Sequence, residues 1–142
     1  MKGNKNEEDN VPFLKITLIG DSGVGKSCII KRYISDEFVS GLVSTRGANY
    51  SNKVVHRNGK ALRLDLWDTA GQEQYRSLWI HFYRDSYVIV LVYDITVRET
   101  FENLKNLWYQ DILKYGEKYT ILAVVGNKSD LYEEEQVTEE EG

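Results

Sequence analysis

Eight residues near the start of the chain carry three glycines, a lysine and a serine, in the segment GDSGVGKS at Gly20–Ser27. Its spacing fits G-x-x-x-x-G-K-[ST], a loop whose backbone N–H groups converge on the phosphates of a nucleotide. In such a loop Lys26 reaches the outer phosphates and Ser27 offers its hydroxyl to Mg²⁺. The apolar strand before the loop and the helix after it favour this interpretation over an ordinary glycine turn. The residues assigned to phosphate contact are Gly20, Asp21, Ser22, Gly23, Val24, Gly25, Lys26, Ser27 and Cys28.

A second segment, LDLWDTAGQE, places an acid, a glycine and a glutamine at the end of another apolar strand. Asp68 at this strand end is suited to hold the magnesium ion through a water molecule. Gly71 lets a backbone N–H turn toward the terminal phosphate, and Gln72 is suited to orient an attacking water. A simple polar turn is the alternative for these few residues in isolation. Together with the phosphate loop, the segment predicts hydrolysis of a nucleoside triphosphate, with Gln72 and Lys26 as the catalytic residues.

The base is indicated by a third segment, GNKSD at Gly126–Asp130, which follows the last apolar strand. The carboxylate of Asp130 can accept two hydrogen bonds from guanine N1 and N2, which adenine does not offer. A site built on such bonds discriminates by about 10⁴–10⁵, because its oxygens stay unpaired against the wrong base. An ordinary exit from a strand into a loop would explain this segment taken alone. Three such segments in this order, each at a strand end, predict a guanine nucleotide.

Five strand-like runs carry these segments: FLKITLIG, NYSNKVV, ALRLDLW, YVIVLVYD and YTILAVVGN. The first, fourth and fifth are almost continuously apolar, which is typical of central strands covered by helices on both faces. The second and third flank Asn58-Gly59, a strong signal for a tight antiparallel hairpin. We therefore expect a sheet that is mostly parallel, with one antiparallel hairpin at its edge.

Helices are predicted between the strands, one from the phosphate loop to about Tyr33 and another after DTAGQE. A third begins near Thr96, which forms a capping box with Glu99, and ends at Gly116. Its apolar stripe, predicted to be core, consists of Phe101, Leu104, Trp108 and Ile112. The alternation of strands and helices predicts a doubly wound α/β fold.

The composition is that of one domain, with 142 residues of which 42% are hydrophobic and 28% charged. The net charge of −4 offers no basic surface, so no nucleic-acid partner is expected. The acidic run EEEQVTEEEG is interpreted as solvated surface rather than as an interaction tail. The single cysteine, Cys28, cannot form an intrachain disulfide, which predicts a reducing, cytoplasmic location. A small buried residue is the favoured role for Cys28, ahead of a redox function.

The N-terminal segment, MKGNKNEEDN, is polar and lacks the apolar region of a signal peptide. Residues 1–12 are therefore predicted to be a flexible tail, followed by a folded domain over residues 13–142. No apolar run approaches the roughly 18 residues of a membrane span.

With a fourth segment, LVYDIT, the chain resembles the Ras superfamily of small GTPases and, within it, the Rab family. Four segments have the residues that are common in Rab proteins, at matching spacings: GDSGVGKSC, WDTAGQE, LVYDIT and GNKSD. The resemblance covers about Phe13–Gly142. The resemblance implies a P-loop GTPase fold. It also implies that Phe38 packs on the edge of guanine, that Lys128 lies along the face of the base, and that Asn127 braces the base and the phosphate loop.

Further roles follow from the same resemblance. Thr45 binds Mg²⁺ through its hydroxyl when the γ-phosphate is present, Gly71 contacts that phosphate, and Gln72 positions the water. The implied metal ligands are therefore Ser27, Thr45 and, through water, Asp68.

Two departures from the Rab pattern concern partners and extent. The segment RGANY puts Arg46 at a position where Rab partners usually contact an aliphatic side chain, which affects partner identity more than chemistry.

Trp79 is expected to pack against the sheet rather than to contact an effector. Family members continue past the position of Gly142 with a sixth strand, a base-contacting loop, a closing helix and a prenylated tail. We therefore expect a domain that is incomplete at its C-terminus and lacks the last strand and helix.

The predicted function is a GTP-binding molecular switch that hydrolyses GTP to GDP with Mg²⁺ in vesicle trafficking. Effector, exchange-factor and GTPase-activating proteins acting in trans are the expected partners. Membrane contact is expected only through a C-terminal tail not present in this chain, on the cytosolic face of membranes. The alternative is a degenerate GTPase-fold interaction module that binds guanine nucleotide weakly or without turnover. An ATP-using kinase is disfavoured by NKSD.

Overall fold

The structure is a computed structural model that describes residues 10–41 and 45–142. The described residues form one five-stranded sheet. Its strands are β1 (Phe13–Ile19), β2 (Ala48–Arg57), β3 (Lys60–Thr69), β4 (Val88–Asp94) and β5 (Ile121–Asn127). Their order is β2-β3-β1-β4-β5, and within this sheet β2 alone is antiparallel to its neighbour. The predicted mostly parallel α/β sheet with one antiparallel edge hairpin is confirmed.

The helices lie between the strands along the chain. They are α1 (Lys26–Ser35), α2 (Arg76–Tyr83), α3 (Arg98–Asn103) and α4 (Tyr109–Tyr115), with 3₁₀ turns at Glu73–Tyr75 and Ser129–Glu134. A π-helical turn at Leu104–Trp108 joins α3 to α4. None of the helices in the described ranges is long and apolar enough to cross a membrane. Of the predicted N-terminal tail, residues 1–9 lie outside the described part of the chain.

The predicted hairpin joins β2 to β3. Asn58 and Gly59 both have positive φ, 52° and 74°, as the two central residues of a tight turn require when it matches the twist of the strands. The strands pair in register from Arg57 opposite Lys60 to Ala48 opposite Thr69. The turn therefore fixes which side chains of β2 face each side of the sheet.

The core lies on both faces of the sheet because successive strand residues point to opposite sides. Leu18 and Val92 pack with residues of α1 on one face, whereas their chain neighbours Ile19 and Leu91 pack with α2, α3 and α4 on the other. The predicted apolar stripe of the third helix belongs to the second cluster, and all its members are buried: Phe101, Leu104, Trp108 and Ile112. Trp79 is also buried there, as the sequence predicted.

Strand β5 has the apolar sequence of a covered central strand, but in a domain that lacks a sixth strand it is expected to lie at the edge of the sheet. It lies at the edge of the described sheet and pairs with β4. Ile121 and Val124 are 64% and 52% exposed. An apolar run shows that a strand is suited to burial, but it does not specify which neighbours cover it.

The start of the third helix also differs from the prediction. The helix begins at Arg98 rather than near Thr96, and its cap residue, Val97, makes no side-chain capping bond. The Thr96 hydroxyl donates instead to Asp94 Oδ1 at 2.6 Å, and the Thr96 N–H donates to the same oxygen at 2.8 Å. The Thr96 hydroxyl, which the capping pattern assigned to the start of the helix, is therefore bonded to the carboxylate of Asp94 at the end of β4.

The hairpin turn gives a test of the fold. A Cβ at Gly59 would meet no atom within 4 Å, so Gly59→Ala tests backbone strain alone. We expect it to lower the free energy of unfolding by about 1–2 kcal/mol, measured by urea denaturation. Asn58→Gly, at the other positive-φ position, is the control and should change stability by less than about 0.5 kcal/mol. Equal effects of the two substitutions would contradict the assigned turn.

Candidate nucleotide-binding site

The three sequence segments meet at one edge of the sheet. They follow β1, β3 and β5, which are parallel members of the sheet, so their carboxyl ends lie at the same edge. A cavity of about 390 Å³ lies there. Ligands of open α/β sheets bind in this position, outside the carboxyl ends of the strands.

Most of the predicted site residues border this cavity. Twelve of them line it: Ser22, Gly23, Gly25, Lys26, Ser27, Cys28, Phe38, Thr45, Gly71, Asn127, Lys128 and Asp130. Five further predicted residues, Gly20, Asp21, Val24, Asp68 and Gln72, do not line it. Four of these five bond to lining residues instead, through a backbone carbonyl or, for Asp68, through its carboxylate.

The side chain of Lys26 bonds back to the start of the phosphate loop. Lys26 is 5% exposed, and its Nζ donates to the carbonyl oxygens of Gly20 and Asp21, each at 2.7 Å. Burial lowers the pKa of Lys26 to about 8, although the charges of Asp68 and Asp21 work against this shift. A buried ammonium group beside the loop amides is well placed to attract an anion.

Asn127 ties the last segment to the first. Its Nδ2 donates to the carbonyl oxygen of Val24 at 2.8 Å. This bond spans the phosphate loop and the carboxyl end of β5, so the two segments are held together by a contact within the chain. The other half of the expected role, bracing the base, concerns a ligand and stays a prediction.

Three oxygen-bearing side chains meet at the start of α1. The hydroxyls of Ser27 and Thr45 lie 2.9 Å apart, and Ser27 donates a hydrogen bond to Asp68 Oδ2. Thr45 also donates to this oxygen, at 3.4 Å. Among the described residues, Asp68 Oδ1 is buried and has no hydrogen-bond partner. Burial raises the pKa of Asp68, although the Ser27 hydrogen bond and the Lys26 charge oppose the shift.

This donor set fits Mg²⁺. The ion prefers oxygen ligands and commonly takes few from the protein, with water and phosphate oxygens completing its shell. Ser27, Thr45 and Asp68 supply two hydroxyls and one carboxylate with a free buried oxygen atom. A divalent cation here would also satisfy the buried carboxylate oxygen.

The segment after β3 lies directly against the phosphate loop. A Cβ built at Gly71 would lie 2.2 Å from the backbone nitrogen of Ser22 and 2.3 Å from the carbonyl carbon of Asp21. Only glycine allows so close an approach between the two backbones. Gln72 is not part of the cavity wall, and its Oε1 accepts a hydrogen bond from Gln74 Nε2 at 2.7 Å.

The end of the cavity formed by the last segment is more open than the phosphate loop. Phe38 is 72% exposed, and Asp130 is exposed as well. Lys128 has a positive φ of 65°, and its Nζ lies 2.7 Å from Asp94 Oδ2. Burial works against ionisation of Asp94, but hydrogen bonds from Lys128 and Thr96 outweigh it, so the pKa of Asp94 lies below its usual range.

Five lining residues were not predicted from the sequence: Val39, Ser40, Gly41, Thr69 and Leu131. Thr69 lies within LDLWDTAGQE and Leu131 directly follows GNKSD, so both segments could have indicated these residues. Residues 39–41 belong to the loop after α1, which carries no motif of its own.

The fold and the site together define an α/β domain of the phosphate-loop class, with the loop between β1 and α1. The sequence model of the Ras family matches residues 15–142. The chain therefore belongs to the Ras family, and it is a small GTPase by family, close to the Rab members.

Individual relatives agree with this assignment. The chain is 43% identical to the Ras-related protein SEC4 of Saccharomyces cerevisiae over 140 residues, covering 99% of this chain and 63% of that protein. It is 41% identical to the Ras-related protein RIC1 of Oryza sativa subsp. japonica, covering 92% and 64% respectively. For the Ras-related protein RABD2a of Arabidopsis thaliana the identity is 43%, with 85% and 59% covered. The chain thus spans less than two thirds of the length of these relatives.

The close approach at Gly71 generates a prediction. Gly71→Ala should force the phosphate loop away, lower the free energy of unfolding by about 1–3 kcal/mol and move the NMR signal of the Ser22 amide. Gly47→Ala is the control, because a Cβ there meets nothing within 4 Å and Gly47 accepts a hydrogen bond from Ala70 in the same segment. This control should cost stability through its positive φ without moving the Ser22 signal. A Ser22 signal that stays in place in Gly71→Ala would contradict the packing described.

Proposed function

We propose that the chain binds guanine nucleotides and hydrolyses GTP to GDP with Mg²⁺, acting as a molecular switch in vesicle trafficking. The observation that carries the proposal is that most of the phosphate loop, together with Thr45 and Asp130, lines one cavity. Membership of the Ras family and closeness to Rab members support the trafficking role.

The phosphates would lie against the loop between β1 and α1. Backbone N–H groups of the loop and the N-terminus of the ten-residue helix α1 favour negative charge. Lys26 would exchange its bonds to the Gly20 and Asp21 carbonyl oxygens for bonds to phosphate oxygens, because its ammonium already lies at the cavity wall.

Hydrolysis requires a water molecule in line with the bond that breaks between the γ-phosphorus and the bridging oxygen. Ser27, Thr45 and Asp68 would hold Mg²⁺, which supplies positive charge against the phosphates. Lys26 stabilises charge on the outer phosphate oxygens, and Gln72 orients the attacking water after turning from Gln74. No arginine lines the cavity in the part of the chain that the structure describes. We therefore propose that an activating protein supplies the arginine charge in trans.

The switch would operate through two segments that border the cavity. Thr45 and Gly71 lie on segments after α1 and after β3, and both line the cavity. A γ-phosphate would bring both segments to the ligand, and its loss would release them. Effector and exchange-factor proteins would distinguish the two states by these segments.

An interaction module that binds guanine nucleotide without turning it over is the second candidate. One observation favours it: the amide oxygen of Gln72 is bonded to Gln74, and Gln72 does not line the cavity. Single-turnover hydrolysis of radiolabelled GTP distinguishes the two candidates, because the module would bind GTP and leave it intact.

Guanine selectivity is tested at Asp130. Asp130→Asn should weaken GDP binding by at least about 100-fold and increase affinity for xanthosine diphosphate, since the amide can donate to the carbonyl that replaces the guanine amino group. Competition with a fluorescent GDP analogue measures both affinities. Glu133→Gln, in the same 3₁₀ turn but away from the cavity, should change neither. Unaltered GDP affinity in Asp130→Asn would exclude this residue as the base-reading group.

The metal site is tested at Ser27. Ser27→Asn should weaken binding of GTP with Mg²⁺ by about 10-fold or more relative to GDP. The substitution replaces the ligating hydroxyl by a larger amide. Ser27→Thr keeps a hydroxyl and should retain the preference. Isothermal titration with each nucleotide, with and without Mg²⁺, gives the comparison, and circular dichroism checks the fold. Equal losses for both nucleotides would argue against metal ligation by Ser27.

A further inference from the structure

Asp21 of the phosphate loop has a carboxylate that points away from the cavity and is held by a distant helix. Trp108 Nε1 donates to Asp21 Oδ1 at 2.8 Å, and Asn103 Nδ2 donates to Asp21 Oδ2 at 2.6 Å. Asp21 does not line the cavity, so its side chain interacts with the protein rather than with a ligand. Each carboxylate oxygen thus has one donor, from the last residue of α3 and from the last residue of the π-helical turn.

The π-helical turn explains how both donors reach one carboxylate. Asn103 and Trp108 are five residues apart, which regular α-helical geometry would place about 140° apart around the axis. At Leu104–Trp108 the backbone widens, and the Tyr109 N–H donates to the carbonyl oxygen of Leu104, five residues back. This wider turn brings residues five apart toward the same side of the helix. The turn therefore presents Asn103 and Trp108 together to the phosphate loop.

The indole of Trp108 is rigidly seated. It is fully buried, and its ring centroid lies 4.4 Å from that of Trp79 on α2, with the planes inclined by 50°. Arg76 and Asp111 also join α2 to α4 through two hydrogen bonds of 2.8 and 2.7 Å. A donor fixed in this way orients its acceptor without first losing side-chain freedom.

The backbone of Asp21 contributes to the phosphate site at two points. Its carbonyl oxygen accepts from Lys26 Nζ, and its carbonyl carbon lies where only a glycine at position 71 fits. A shift of Asp21 would therefore displace the ammonium group of Lys26 and the segment that carries Gly71.

We propose that Trp108 and Asn103 are positioning residues for the phosphate site: they hold the Asp21 carboxylate and so keep the phosphate loop in the shape that retains nucleotide. This inference rests on the proposed guanine-nucleotide binding. Neither residue touches the cavity, and both act through Asp21. Their contribution should appear as slow release of bound nucleotide.

The two tryptophans supply a matched pair of variants. Trp108→Phe and Trp79→Phe remove the same atoms from two buried, mutually packed rings. The Trp79 Nε1 has no hydrogen-bond partner within residues 10–41 and 45–142, so Trp79→Phe deletes no hydrogen bond. Trp108→Phe deletes the donor to a carboxylate. We expect Trp108→Phe to release a fluorescent GDP analogue about 10-fold faster and Trp79→Phe to stay within about twofold of the parent chain.

Asn103→Ala gives a second variant that leaves every aromatic ring in place, and it should also accelerate release. In the Asp21→Ala background, Trp108→Phe should produce no further acceleration, because the residue acts through Asp21. Equal release rates for Trp108→Phe and Trp79→Phe would overturn the proposal. So would a full additional effect of Trp108→Phe in the Asp21→Ala background.

Hydrogen exchange of the Trp108 indole N–H, followed by NMR without added nucleotide, separates this inference from the proposed function. Exchange should be slow in the parent chain and faster in Asp21→Ala. A parent chain that binds no guanine nucleotide would overturn the proposed function and, with it, the positioning role. Normal binding with unchanged indole exchange would overturn the positioning role alone.

Discussion

A buried positive charge at the carboxyl end of β1 constrains most of the surrounding structure. An ammonium group out of water is costly unless oxygen acceptors and opposite charges compensate it. Lys26 has both, from the carbonyl oxygens of Gly20 and Asp21 and from the charge of Asp68. Two consecutive carbonyls can point at one nitrogen only where the chain turns tightly after the strand. The tight turn of the phosphate loop and the acid at the end of β3 therefore both compensate the buried charge of Lys26.

The features that sequence predicted well are those determined by residues close together along the chain. The spacing of GDSGVGKS specifies a loop between β1 and α1, and Asn58-Gly59 specifies the hairpin through the positive φ of both residues. The apolar stripe of the third helix is likewise local, since residues three and four apart share one face of a helix. The parallel strand ends then bring the separate segments together at one edge of the sheet.

The features that sequence missed depend on contacts between distant residues or on a small change in helical geometry. Asn103 and Trp108 are 82 and 87 residues from Asp21, and no local pattern connects them. The π-helical turn preserves the apolar stripe, so periodicity gave no sign of it. Thr96 fits a capping box on spacing alone, but Asp94 competes for its hydroxyl.

The two ends of the cavity differ in construction. At the phosphate end Lys26 and Asp68 are buried, and the half-buried carboxylate of Asp21 accepts hydrogen bonds from Asn103 and Trp108. At the other end Phe38 and Asp130 are exposed. In the proposed complex, the end whose side chains are already held by hydrogen bonds would need less ordering on binding than the exposed end. A switch of the proposed kind must also distinguish a triphosphate from a diphosphate. That distinction would have to come from Thr45 and Gly71, which belong to segments that approach the same end from outside the phosphate loop.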